Sequence, residues 1–284
     1  MRLDIYVTEL LKKYSRAHVK KLIDAGLVTV DGEIKPASYQ LRGEEDVKIR
    51  AGKAEWTERL DDWIIHEDKE LIVLDKPAGL LMHPLGDSWL TAPEAALDDQ
   101  PNLAGLLQRD RPPLKKVPRC GIVHRLDRQT SGVLLVAKTK KTYEALVEGF
   151  KEREMSKTYR AVVRGVPGRK LTRVDAPIGR NPGHRRVLVT QFGKDAQTAF
   201  KVLEAGKDAA LVEAKPLTGR THQIRAHLAF MGHPVAGDPE FDKSAAAMPP
   251  RTMLHAYKIE FEGRSFSAPP PKDFRDFWRR LKTA

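Results

Sequence analysis

Gly121-Ile122-Val123-His124-Arg125-Leu126-Asp127-Arg128-Gln129-Thr130-Ser131-Gly132, running into the apolar residues 133–137, is the stretch from which the rest of the sequence can be read. It sets one carboxylate between two arginines, ahead of a Thr-Ser-Gly turn and a short strand that is apolar throughout. Nearby cations favour the charged form of a carboxylate. Asp127 is therefore expected to be ionised, poorly suited to donating a proton near neutrality and well suited to act as a nucleophile or electrostatic stabiliser. Loop tips mounted on rigid strands are where functional residues concentrate. Read alone, the same residues also describe an ordinary Arg–Asp pair that stabilises a turn.

Working outward, 132–137 reads as a buried strand. Thr139 then opens a helix with Tyr143, Leu146, Val147 and Phe150 at i, i+3, i+4 and i+7. Alternation predicts strands over 157–164, 198–203 and 209–215, and Phe274, Phe277, Trp278 and Leu281 form a C-terminal helical stripe. On the N-terminal side, 63–65 and 71–74 flank Glu67-Asp68-Lys69-Glu70 like a hairpin. The proline-bearing stretch 91–119 holds one helix marked by Leu97, Leu103, Leu106 and Leu107. Strand-rich segments with interspersed helices and no regular βαβ rhythm argue for an α+β fold.

The first fifty residues read as a separate small unit. Leu3, Tyr6, Val7, Leu10, Leu11 and Tyr14 recur at helical spacing. Ser15 can cap a second helix that carries Val19, Leu22 and Ile23 and ends at Gly26. Asp31-Gly32 after Val28-Thr29-Val30 is a tight-turn signal, and Val47 and Ile49 alternate in a later strand. Lys12, Lys13, Arg16, Lys20 and Lys21 crowd the junction of the two helices without an intervening acid, a pattern that fits either a polyanion-binding face or a solvated one. Residues 51–59 are polar, without a period, and read as a linker.

The whole chain has 284 residues, 50 Lys and Arg against 38 Asp and Glu, a net charge of +12 and one cysteine. Its length suffices for one large core plus a small module. A lone Cys120 excludes an internal disulfide and any Cys-rich metal site. No apolar run approaches the roughly 18 residues of a membrane span, and the N-terminus does not read as a signal peptide. A basic, cysteine-poor chain of this kind fits a cytoplasmic partner of a polyanion. No Walker loop, Gly-x-Gly-x-x-Gly, His-Glu-x-x-His or Gly-x-Ser-x-Gly occurs. His222 and His227, five residues apart, do not share a helix face as metal ligands would, and His227 reads as a satisfied core histidine.

Four ordered blocks carry a resemblance. His124-Arg125-Leu126-Asp127, continuing to Thr130-Ser131-Gly132, resembles the signature of the RluA family of pseudouridine synthases. Asp75-Lys76-Pro77-Ala78-Gly79-Leu80 is similar to that family's early Lys-Pro-x-Gly loop, and Lys157-Thr158-Tyr159 to the strand bearing its active-site tyrosine. Residues 216–225, with Gly232-His233-Pro234 and Gly237-Asp238-Pro239, resemble its late basic motif. The first 32 residues, with Arg2-Leu3-Asp4, Ser15-Arg16 and 21–32, resemble an S4 RNA-binding domain, although Glu45-Asp46 stands where that module usually has Gly-Asp.

The resemblance implies a mixed, mainly antiparallel catalytic core over 60–284, a linker over 51–59 and an S4-like module over 1–50. It implies isomerisation of uridine to pseudouridine within RNA, without cofactor or metal. Large-subunit ribosomal RNA is favoured over transfer RNA because the S4 module accompanies the core; an assembly factor that binds RNA with secondary or no catalysis, and a base-removing glycosidase, are the other readings. Asp127 is implied as the catalytic aspartate, Tyr159 as the ring against the base and an aid to proton removal at carbon 5, and Arg225 as the partner of the aspartate. Arg125 is implied to fill the space left by an extruded nucleotide. With it, Arg16, Lys20, Lys21 and Arg220 make up the RNA-binding set. Gln129 stands where many relatives carry an acid. The basic stretches Arg111, Lys115, Lys116, Arg119 and Arg180, Arg185, Arg186 fit either phosphate-contacting loops or solvated surface. A monomer is expected, since no unassigned apolar stripe remains.

Overall fold

The computed structural model describes residues 1–12, 14–24, 26–49, 56–84, 88–91, 96–97, 100–168, 172–184, 186–244 and 249–283. Backbone contacts divide the chain into two compact units, one of Met1–Asp62, Leu80–Ile122 and Lys138–Lys140, the other of Trp63–Gly79, Val123–Ala137 and Lys141–Ala284.

In the first unit, α1 (Leu3–Leu10) and α2 (Arg16–Asp24) precede a small antiparallel sheet of β1 (Val28–Val30), β2 (Glu33–Ile34) and β3 (Val47–Ile49) in the order β2-β1-β3. Leu3, Val7, Tyr14, Val19 and Ile23 are buried. Tyr6, on the flank of α1, and Leu10, at its end, stay exposed, so the buried stripe is narrower than the periodicity predicts. The Ser15 hydroxyl accepts from the His18 amide at 3.3 Å, the N-cap bond its position foretells. Asp31 and Gly32 both have positive φ, 52° and 81°, as a two-residue type I′ turn requires. The Glu45 carboxylate accepts from the Arg42 and Gly43 amides, so the departure at this turn is satisfied by a side chain. The unit also holds α3 (Ser88–Thr91) and α4 (Leu103–Asp110), the latter capped by Asn102, whose side chain accepts from the Gly105 amide. Leu103, Leu106 and Leu107 are buried as predicted.

A nine-stranded sheet organises the second unit. Its strands are β4 (Ile64–Glu67), β5 (Leu71–Lys76), β6 (Ser131–Ala137), β7 (Ser156–Arg164), β8 (Thr172–Asp175), β11 (Gln197–Ala205), β12 (Ala209–Pro216), β13 (Leu254–Phe261) and β14 (Arg264–Ser267). A separate ribbon pairs β9 (Ile178–Gly179) with β10 (Leu188–Val189). The order is β4-β5-β6-β13-β7-β12-β11-β8, with β14 beside the far half of β13. Among the described strands of this sheet only β6 and β13 run parallel, so the sheet is mixed and mainly antiparallel, and the fold is α+β. Helix α5 (Lys140–Lys151) contributes Leu146, with Tyr143 and Phe150, to a core with Leu71, Val133, Leu135 and Phe261. Helices α6 (Gln223–Phe230) and α7 (Lys272–Thr283) pack Ile224, Leu228, Phe274, Phe277 and Trp278 against β7, β11 and β12.

Two details of the sheet position the site. Gly132 opposes Ala256 across the parallel pair with φ +114°, and a Cβ there would lie 2.2 Å from the Ala256 carbonyl oxygen. Glycine is what lets β6 begin directly after the Asp127 loop. Strands β7 and β12 pair as far as Tyr159 opposite Ala214, although β7 starts at Ser156 and β12 continues to Pro216. Beyond that pair the two strands part.

Candidate active site

The Asp127 loop is held from its inner side by buried donors. Lys76, at the end of β5, is fully buried, and its Nζ donates to the carbonyls of Pro77 at 2.7 Å, Thr130 at 3.0 Å and Arg128 at 3.3 Å. Three acceptors match the three donors of an ammonium group. Burial pulls the Lys76 pKa down to about 7, with Arg251 adding to the fall and Asp127 opposing it. Gly79 and Arg128 exchange two bonds, the Gly79 amide donating to the Arg128 carbonyl and Arg128 Nε to the Gly79 carbonyl. Arg251 reaches the Gln129 carbonyl at 3.3 Å while pairing with Asp273. His124 Nε2 accepts from the Leu135 amide of β6, and its ring lies 4.6 Å from that of Phe150. With the loop carbonyls occupied inside, the Asp127 side chain faces a cleft of about 570 Å³.

Arg225, on the first turn of α6, supplies the cation for Asp127. Its Nη1 donates to Asp127 Oδ2 at 3.3 Å, while Nε and Nη2 bind Asp238 at 2.6 and 2.8 Å in a fork. Nη2 also reaches Glu240 Oε1 at 3.3 Å. Asp238 has no exposure and accepts in addition from the Glu240 amide. Burial opposes the charge of Arg225, yet the carboxylates of Asp238, Asp127 and Glu240 hold its pKa above the usual value. His222, left-handed at φ 55° just ahead of α6, lies 3.3 Å from Glu240 and 3.9 Å from Asp127.

Tyr159, at the point where β7 and β12 part, lines the same cleft. Burial, and then the charge of Asp127, push its hydroxyl pKa up, so the phenol stays protonated and presents a neutral ring. A carboxylate fixed by a guanidinium and facing a neutral aromatic ring suits a planar, uncharged base whose bond to a sugar is to be broken.

Asp127, Tyr159, Arg225, Arg125 and Arg220 are thus gathered around one cleft. The flanking arginines do not clasp the aspartate as the sequence suggests: Arg125 is exposed, Arg128 turns to the Gly79 carbonyl, and the ion pair comes from a residue 98 positions away. Arg220 is exposed, with Nε donating to the Asp195 carbonyl. In the first unit, Arg16 donates twice to Asp4, which Arg2 also binds, and these hydrogen bonds, from Arg2 first, lower the Asp4 pKa to about 2. Lys20 makes an exposed pair with Asp24 at 2.8 Å. The side chain of Lys21, and Lys13 and Arg185, lie outside the described residues. Lys115, Lys116 and Arg119 are exposed, Arg111 pairs with Asp61, and Arg186 lies 4.3 Å over the Phe241 ring. His227 is a core histidine, bonded to Thr198 and the Ala176 carbonyl.

The sequence reading pairs Arg225 with Asp127 but passes over its other partners, Asp238 and Glu240. Asp238 sits in the quoted Gly-Asp-Pro motif, but nothing in its spacing links it to a guanidinium 13 residues earlier. Glu240 carries no local signal at all, and His222, inside the quoted 216–225 block, is weighed there only as a metal ligand.

Residues 70–230 match the family described as RNA pseudouridylate synthase, and residues 1–47 the S4 domain. The chain is 38% identical over 274 residues to the ribosomal large subunit pseudouridine synthase D of Nitrosomonas europaea, covering 92% of this chain and 76% of that one. It is 33% identical to an uncharacterised RNA pseudouridine synthase of Bacillus subtilis, over 99% of this chain and 94% of the other. Among solved structures it resembles human RNA pseudouridylate synthase domain containing 4, with a TM-score of 0.60 and 25% identity over 78% of this chain and 94% of that one.

Proposed function

The chain belongs to the RNA pseudouridylate synthase family, and from that premise we propose that it isomerises uridines of large-subunit ribosomal RNA, with Asp127 as the catalytic carboxylate. The observation that carries this reading is the Asp127 carboxylate held by Arg225 in a cleft that also presents the neutral ring of Tyr159. The target uridine leaves the stack, since its glycosidic bond cannot be broken and remade inside a helix, and Arg125 at the rim fills the gap. The N1–C1′ bond breaks, the base turns, C5 bonds to C1′, and the C5 proton is lost while N1 gains one. Attack on the sugar, attack on the base and proton abstraction towards a glycal all use the Asp127 carboxylate, which the Arg225 guanidinium holds at 3.3 Å. Tyr159 acts through its ring and its protonated hydroxyl.

The relative of Nitrosomonas europaea, named for the large ribosomal subunit, supports ribosomal RNA as the substrate, and the S4 match supports a second RNA-binding site at the N-terminus. We take 1–50 as that anchor, with Arg16, Lys20 and Lys21 on it, and 60–284 as the catalytic part joined through 51–59. The protein works as a cytoplasmic monomer without a cofactor; no described helix is long and apolar enough to cross a membrane.

Tritium release from unmodified ribosomal RNA labelled at uridine carbon 5 tests the reading. Wild type should release tritium, and Asp127→Asn should bind the RNA with similar affinity and release none. Turnover by the variant, or silence from wild type on both free RNA and immature subunits, would overturn the assignment.

A further inference from the structure

We propose that Lys157 and Arg153 form a phosphate subsite that takes the phosphodiester next to the extruded uridine. The inference rests on the isomerase reading above. Lys157 precedes Tyr159 by two positions on β7, so the two side chains share one face of the strand about 7 Å apart. Both line the cleft, Tyr159 at the last pair with β12 and Lys157 on the stretch of β7 that β12 has left.

The environment of Lys157 is unusual for this protein. The other enclosed cations have oxygen partners: Lys76 has three carbonyls, Arg225 has Asp238 and Asp127, Arg251 has Asp273, and Arg164 has Asp242. Lys157 is half-buried, and among the described residues its ammonium has no carboxylate or carbonyl partner, only the Phe150 ring 5.9 Å away. Burial lowers its pKa, the sign of a charge not yet compensated. Arg153 lines the same cleft, exposed and without an ion pair among the described residues. Its φ is 65°, the left-handed conformation in which α5 gives way to β7 and which favours glycine. An arginine there carries a backbone cost and places its charge at the cleft.

The rest of the cleft decides where an RNA backbone can lie. Asp127, Asp238 and Glu240 surround Arg225 and compensate its charge, so this guanidinium is already engaged and offers little to a phosphate. Among the residues that line the cleft, Lys151, Arg153 and Lys157 are the charged ones at the Lys157 end, and of these Lys151 is paired with Glu148. A nucleotide that brings its base to Tyr159 and Asp127 therefore has its backbone placed at Lys157, one strand step away.

The probe is uridylyl-uridine, which has a single phosphodiester, compared with its uncharged methylphosphonate analogue, each titrated by NMR into wild type, Lys157→Met, Lys157→Arg and Arg153→Gly. Methionine keeps the contact with Phe150, and glycine relieves the left-handed backbone, so both variants should fold. Wild type should bind the phosphodiester roughly three- to tenfold more tightly than the neutral analogue, as for a partly screened ion pair. Lys157→Met should bind both equally weakly, Arg153→Gly should show reduced discrimination, and Lys157→Arg should retain it. Equal binding of both probes by wild type, undiminished discrimination by Lys157→Met, or no saturable binding of the phosphodiester would overturn the subsite. The tritium assay on wild type separates the two claims: release with no phosphate discrimination sinks the subsite alone, and no release sinks the isomerase reading.

Discussion

The carboxylate of Asp238 is removed from solvent and commits both oxygens to Arg225, whose remaining nitrogen reaches Asp127. Asp238 thus orients the guanidinium that meets Asp127 without being exposed itself. Removing one partner of a buried pair leaves an uncompensated charge and costs about 3 kcal/mol or more. Asp238→Asn should lower the urea midpoint accordingly and slow single-turnover isomerisation at least tenfold, while the affinity for RNA stays near wild type. A normal rate in the folded variant would show that Arg225 needs no such bracing. At this scale the sequence was legible wherever the signal was local. Asp127 and Tyr159 sit in short motifs that announce themselves, whereas Asp238 and Glu240 meet Arg225 only after the chain leaves α6 and turns back. The arginines flanking Asp127 misled for the same reason, since adjacency in sequence says nothing about where a long side chain points.

Two neutral histidines fasten strand β6. His124 Nε2 accepts from the Leu135 amide, which fixes it as the unprotonated nitrogen, and His255 bridges the Ser131 hydroxyl through Nδ1 and the Ala268 carbonyl through Nε2. Burial pulls their pKa values down to about 3 and about 4, against 6.5 in an unfolded chain. From pH 6.5 down to about 4 the unfolded chain binds protons that the native state refuses, so stability falls as the medium is acidified, by about 1.4 kcal/mol per pH unit for each histidine. Urea midpoints at pH 7.5, 6 and 5 should decline steeply over the last interval; a flat series would mean that neither histidine is held neutral. The elements themselves were largely readable from periodicity: α5, α7, β6, β7, β11 and β12 fall where the apolar spacing puts them. Strand β13 went unread because its buried His255 interrupts the apolar alternation, and its parallel place beside β6 depends on residues more than a hundred positions away.

Over the whole molecule, a net charge of +12 favours any polyanion, and the anchor proposed for the N-terminal module rests on Arg16, Lys20 and Lys21. The Lys20–Asp24 pair is exposed and therefore weak, so Lys20 can exchange its carboxylate for phosphate. Replacing Arg16, Lys20 and Lys21 together by glutamine should weaken binding of ribosomal RNA and flatten the plot of log K against log salt by about 2 units if all three meet phosphates. An unchanged slope would remove this face from the binding surface.

The position of β13 has a consequence for the order in which the protein is made. Residues 254–261 lie between β6 and β7, yet they are translated after every other strand of the sheet except β14. Until they emerge, the nascent chain has two half-sheets with open edges, Asp127 leading into one and Tyr159 on the other. Such long-range closure is slow and leaves strand edges free to pair wrongly. It also means that an enzyme whose proposed substrate is the ribosome's own RNA has no assembled site until β13 has been translated and has entered the sheet.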